Sequence, residues 1–154
     1  MKKLILLSLL TIAFTTVFSQ LNYKVGLLTS LYTNDNNSHP KIALGSALAE
    51  VCYPVSGMLT LTATSGIVRY VNDAEGYNQF PVYLGTKRKI NEYFYLGGNA
   101  GASFFSRIKH GVNFSWSAYA GMEVQNISID IRYLNTVKPN SGLSTTAVVL
   151  SYNF

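Results

Sequence analysis

The chain is poor in cysteine, in charge and in long apolar runs, and each shortage closes off a class of protein. Cys52 is the single cysteine among 154 residues, so no internal disulfide can form. Small secreted soluble domains often depend on disulfides, and their absence favours a closed sheet. Cys52 also lies too far along the chain to be the lipid-bearing first residue of a mature lipoprotein. Lys and Arg number 12 against 7 Asp and Glu, and the basic residues are scattered without a stripe, which argues against nucleic acid as a partner. There is no His-Glu-x-x-His, no Cys/His cluster and no phosphate-binding loop, so no metal site and no cofactor is expected. Gly97-Gly98-Asn99-Ala100-Gly101 is not followed by a helix that could present a phosphate. Beyond the first twenty residues no apolar run is long enough to cross a membrane as a helix.

What the chain does have begins with a secretory pattern. Met1-Lys2-Lys3 is a short basic start, Leu4 to Val17 is apolar, and Val17-Phe18-Ser19 resembles a cleavage end. Cleavage there divides the chain into a signal peptide, 1–19, and one domain, 20–154. Loss of Lys2 and Lys3 leaves ten basic residues against seven acidic. An exported domain without a spanning helix meets a membrane only as a closed barrel or at its surface.

Period-two alternation then runs almost to the end. Eight strands are expected: Leu21 to Tyr32, Ile42 to Tyr53, Met58 to Val71, Phe80 to Lys87, Tyr93 to Phe105, Val112 to Val124, Ile127 to Tyr133, and the terminal run through Val148 to Phe154. Phe114, Trp116, Ala118, Ala120 and Met122 oppose Asn113, Ser115, Ser117, Tyr119 and Glu123; Ile127, Ile129, Ile131 and Tyr133 oppose Ser128, Asp130 and Arg132. The second strand is out of phase, with Leu44, Leu48 and Glu50 on one face, and a bulge near Gly45 would repair it. Connections alternate between longer polar segments (Thr33 to Lys41, Asn72 to Gln79, Ser106 to Gly111, Asn135 to Gly142) and short ones (Pro54 to Gly57, Arg88 to Glu92, Gln125-Asn126). That order fits an eight-stranded antiparallel up-and-down transmembrane barrel, with both termini at the short-turn end and the longer loops outside the cell. All eleven Tyr follow the leader, and many fall near expected strand ends, as in an interfacial aromatic girdle.

The inward charges are the candidate internal set. Lys24, Lys87 and Arg132 share the lumen with Glu50, Glu123 and Asp130. Eight strands enclose a space that side chains can fill, so charges held there must pair. One reading is an ion-pair plug; the other is a narrow gated path for ions or small solutes. Glu123 and Arg132, on strands joined by a tight turn, are the pair expected from proximity, and Asp130 shares a face with Arg132. Arg107, Lys109 and His110 form a basic loop that could touch anionic lipopolysaccharide. His39, near Asp35 and Ser38, and His110 could serve as general bases at the outer rim, although such residues are also ordinary in turns. Strand glycines would make room for inward Tyr83 and Tyr119.

Several segments resemble one family. Phe18-Ser19-Gln20 is similar to leader ends of Bacteroidetes-type bacteria. Pro81-Val82-Tyr83-Leu84-Gly85, Tyr95 to Phe104, Ala120-Gly121-Met122-Glu123 and Asp130-Ile131-Arg132-Tyr133 resemble strands of their small, OmpA-like outer-membrane β-barrel domains. Terminal Phe154 resembles the residue read by the barrel-assembly machinery. The resemblance implies an outer-membrane location, contact with membrane lipid and lipopolysaccharide, a monomer without a periplasmic domain, and no enzymatic activity. The alternatives are a porin-like narrow channel and a soluble periplasmic ligand-binding barrel, in which the apolar faces would point inward.

Overall fold

Alternation carried through strands of this length forces one face out and the other in, and with eight strands the sheet closes on itself. The computed structural model describes residues 20–35, 42–43, 45–71, 76–106, 112–137 and 142–154. The strands are β1 (Asn22–Asp35), β2 (Ile42–Ala43), β3 (Ser46–Pro54), β4 (Leu59–Val71), β5 (Gly76–Lys89), β6 (Phe94–Phe105), β7 (Val112–Val124), β8 (Ile127–Val137) and β9 (Gly142–Asn153). β2 and β3 are two parts of one barrel strand. Each strand pairs antiparallel with its neighbours in sequence, and β9 returns to β1, closing an eight-stranded barrel. The described residues contain no helix and thus none long enough to cross a membrane.

The expected bulge lies at the β2–β3 junction. Ala43 pairs with Tyr70 and Ala47 with Ile67, so four steps on one strand meet three on the other. Gly45 absorbs the extra residue with a left-handed φ of 66°, a conformation glycine adopts without penalty. Beyond it Ser46, Leu48, Glu50 and Cys52 all face inward.

Several loop expectations need correction: Thr33 to Asp35 belong to β1, Pro54 to β3, and Arg88 and Lys89 to β5. β5 starts at Gly76, and Gly76 to Gln79 pair with Val71 to Val68, so Asn72 to Gln79 is not all loop. Likewise β8 runs to Val137 and β9 starts at Gly142; Asn135 pairs with Ser144 within the sheet. The reason is the polar interior. Gln79 and Thr136 are buried inside the barrel, so polarity there marks an inward face rather than a strand end.

The short connections gather at one end. Ser56 Oγ accepts from the Leu59 amide at 3.1 Å, and Asn91 Oδ1 accepts from the amides of Tyr93 (2.9 Å) and Phe94 (2.8 Å). Gln125 and Asn126 make a two-residue turn with Gln125 at φ 54°. The Phe154 amide donates to the Tyr23 carbonyl at 2.8 Å, placing the last described residue beside the first strand.

β6 and β7 show why the interior holds large rings. Tyr95 pairs with Gly121 and Gly97 with Tyr119, so each ring lies over the opposite glycine. The rings meet edge to face, centroids 6.2 Å apart. A Gly97→Val side chain would occupy the space of the Tyr119 ring. It is expected to destabilise the barrel by about 1–3 kcal/mol through overpacking, read as a lowered urea midpoint of the refolded protein; an unchanged midpoint would contradict this packing.

Candidate functional site: a filled and charged lumen

The inward faces of the strands bring the candidate charges together. Lys24 lies on β1, Glu50 on β3, Lys87 on β5, Glu123 on β7, and Asp130 and Arg132 on β8. Five of them are buried, and Glu123 is half-buried near the turn-end mouth. The polar side of each strand's alternation places them there.

Arg132 is the centre of the cluster. Its Nε donates to Asp130 Oδ1 at 3.2 Å, its Nη2 lies 3.9 Å from Glu50 Oε2, and its guanidinium stacks 4.2 Å from the Tyr119 ring centroid. Asp130 Oδ2 accepts from the Tyr95 hydroxyl at 3.2 Å and faces Lys24 Nζ at 3.6 Å. Glu50 accepts from Thr64 Oγ1 at 3.0 Å and from the Cys52 thiol at 3.5 Å. Toward the turn end, Glu123 sits between Lys87 (3.3 Å) and Lys89 (3.6 Å). Lys24 and Lys87 both lie over the Tyr95 ring, at 5.4 and 5.1 Å from its centroid. Each buried charge thus has an opposite charge nearby, as burial demands.

Glu123 and Arg132 do not pair. The register sets Glu123 against Ser128 and Arg132 against Tyr119. Four residues of strand separate the two levels, about 13 Å at the usual rise. Glu123 instead reaches past β6 to β5.

A second layer centres on Gln79, whose polar surroundings in the sequence point to a loop but which lies within β5. Gln79 Nε2 donates to Ser103 Oγ (2.7 Å) and Thr136 Oγ1 (3.0 Å), and its Oε1 accepts from the Tyr70 hydroxyl at 2.8 Å. Ser115 Oγ donates to Thr136 Oγ1 at 2.9 Å. The available signal was alternation: Tyr77, Gln79, Pro81 and Tyr83 stand opposite Asn78, Phe80 and Val82. Beside this layer pack Leu28, Leu48, Val68, Leu134, Leu143 and Val149.

These layers fill the lumen. Among the residues around Lys24, Glu50, Thr64 and Arg132 a gap of about 10 Å³ is left, at or below the space one water needs. At the turn end a vestibule of about 380 Å³ opens over Lys24, Cys52, Lys87, Lys89, Glu123 and Asn153. No group of His, Cys, Asp and Glu suited to hold a metal occurs among the described residues. Arg107, Lys109, His110 and His39 lie outside the described residues, as does the leader, 1–19.

No family model and no curated protein matches the chain. Solved structures do. The chain is similar to Ail, the attachment invasion locus protein of Yersinia pestis, with a TM-score of 0.63 and 16% identity over 87% of this chain and 97% of that one. It is similar to Neisserial surface protein A, with a TM-score of 0.60 and 10% identity over 88% and 97%. The outer membrane enzyme PagL aligns with a TM-score of 0.53 and 13% identity over 85% and 98%. At such identities the likeness speaks for the fold alone, and the same fold carries both surface proteins and an enzyme. The architecture is that of the eight-stranded outer-membrane β-barrels.

Proposed function

We propose that the chain is a bacterial outer-membrane barrel with a structural or surface-interaction role and no catalysis of its own. The observation that carries this reading is the inversion of the fold: a polar, ion-paired, filled interior within an apolar outer wall. Leu27, Leu84, Phe114, Ile129, Ile131 and Leu150 are all exposed on that wall, an apolar surface too large to leave in water. A soluble ligand-binding barrel would need the opposite arrangement. In this reading the leader, 1–19, exports the chain, Phe154 is its signal to the barrel-assembly machinery, the monomer sits among membrane lipid, and the loop bearing Arg107, Lys109 and His110 meets lipopolysaccharide. Kinship with Bacteroidetes barrels belongs to the same proposal.

The second reading is a narrow channel. Its support is the vestibule, which opens directly onto Lys24 and Lys87. Two measurements test the pair. Unboiled protein extracted from outer membranes is expected to migrate differently from boiled protein on a detergent gel, and planar bilayers containing it are expected to show no steady conductance. Recovery in the soluble periplasmic fraction, with no boiling shift, would reject the membrane reading; a stable conductance abolished by lumen blockade would favour the channel.

A further inference from the structure

Among the residues whose side chains are described, charge on the outer wall is confined to two places. Of the outward-facing strand residues described, just two are charged, Arg69 on β4 and Arg88 on β5, and both are exposed. The other charged strand residues whose side chains are described line the lumen or its mouth. Neither guanidinium has a partner among the described residues; the bond from Arg69 to Ser46 Oγ, at 3.0 Å, is donated by its backbone amide. Arg88 stands between Leu59 of β4 and Leu96 of β6. Arg69 is flanked along its own strand by Ile67 and Val71.

Their spacing is informative. Arg69 pairs with Asn78, and Arg88 lies ten residues further along β5. At a rise of ~3.3 Å per residue and a strand tilt near 40°, the two arginines are separated by roughly 25 Å along the barrel axis. That is about the height of the outward apolar band of such barrels. Between them the wall presents Leu61, Ala63, Ile67, Phe80, Val82 and Leu84, interrupted only by the hydroxyls of Ser65 and Thr86. One arginine therefore falls at each edge of the band.

We propose that Arg69 and Arg88 each bind a lipid phosphate, one in each leaflet, and together set the depth at which the barrel sits. This inference rests on the outer-membrane reading. A guanidinium on an apolar wall has strong reason to reach the headgroup region, and its planar fork matches a phosphate with two parallel N–H···O bonds. An ammonium would not offer that geometry.

The test uses the full chain, with Arg107→Gln to remove the loop arginine and guanidinium ¹³C in the remaining three. Arg132, sealed in the lumen, is the internal control. In phosphatidylcholine bilayers and phosphate-free buffer, lipid ³¹P is expected to dephase the guanidinium signal. The dephasing should fall by about half with Arg69→Gln or Arg88→Gln and vanish in the double variant. Dephasing that survives in the double variant overturns the proposal. So does equal dephasing in uncharged detergent micelles with inorganic phosphate, which would mean a general anion site. Trp116, the single tryptophan, reports depth in parallel through quenching by phosphatidylcholines brominated at defined chain positions; the depth of maximal quenching is expected to move in the double variant, and an unmoved maximum also counts against it. A Trp116 quenched by no bromolipid would bring down the membrane reading with this inference. A quenched Trp116 without arginine dephasing would bring down the inference alone.

Discussion

Arg132→Met is expected to cost about 3–5 kcal/mol of stability, because it leaves two buried carboxylates with a single lysine between them. Glu50 would lose its Arg132 contact at 3.9 Å and Asp130 its bond at 3.2 Å, leaving both to share Lys24, which stands opposite Glu50 on β1 and 3.6 Å from Asp130. The cation stacked on Tyr119 would go as well. Arg132→Lys should fall between the parent and the Met variant, since an ammonium keeps the charge but loses the fork and the stack. The double variant Arg132→Met, Glu50→Gln should recover much of the loss, because Asp130 keeps Lys24 as its partner at 3.6 Å and no charge is left unpaired inside. Urea midpoints of protein refolded into vesicles, read by gel mobility, provide the comparison. A single Met variant within about 1 kcal/mol of the parent would show that the cluster is not held by this cation.

Leu84→Lys carries the second large effect. Leu84 is 72% exposed and stands near the middle of the outward band, four residues from Arg88. On a water-facing surface such a change stays within about 0.5 kcal/mol. At a bilayer midplane a lysine on the lipid face costs about 2–4 kcal/mol. The variant is therefore expected to fold nearly as well as the parent in detergent and markedly worse in vesicles. Equal stability in vesicles would contradict a lipid-facing Leu84.

Where alternation was unbroken, the fold could be read directly. β7 and β8 show this best: Asn113 to Tyr119 alternate inward against Phe114 to Ala120, and Ser128, Asp130 and Arg132 against Ile127 to Tyr133. Even the phase slip near Gly45 announced its bulge. The mistaken partner of Glu123 came from treating nearness in sequence as register. A two-residue turn at Gln125-Asn126 sets Val124 against Ile127, hence Glu123 against Ser128, and Arg132 belongs with Tyr119. The actual partners, Lys87 and Lys89, lie two strands away, past β6. That contact depends on the curvature of a closed sheet, which no linear pattern displays. The Gln79 layer escaped for a related reason: polar residues ordinarily mark loops, but inside this wall they mark the core.

Closure between β1 and β9 has a consequence for how the molecule comes into being. Lys24 pairs with Asn153 and Asp35 with Leu143, partners more than a hundred positions apart along the chain. Every other main strand finds both neighbours close by in sequence, as successive hairpins. Until the last strand arrives, β1 and β8 are bare edges, open to any extended chain nearby. The rate of completion is then governed by this one long-range joining event, slow by its loop entropy, and a nascent barrel needs sheltering for as long as that seam stays open.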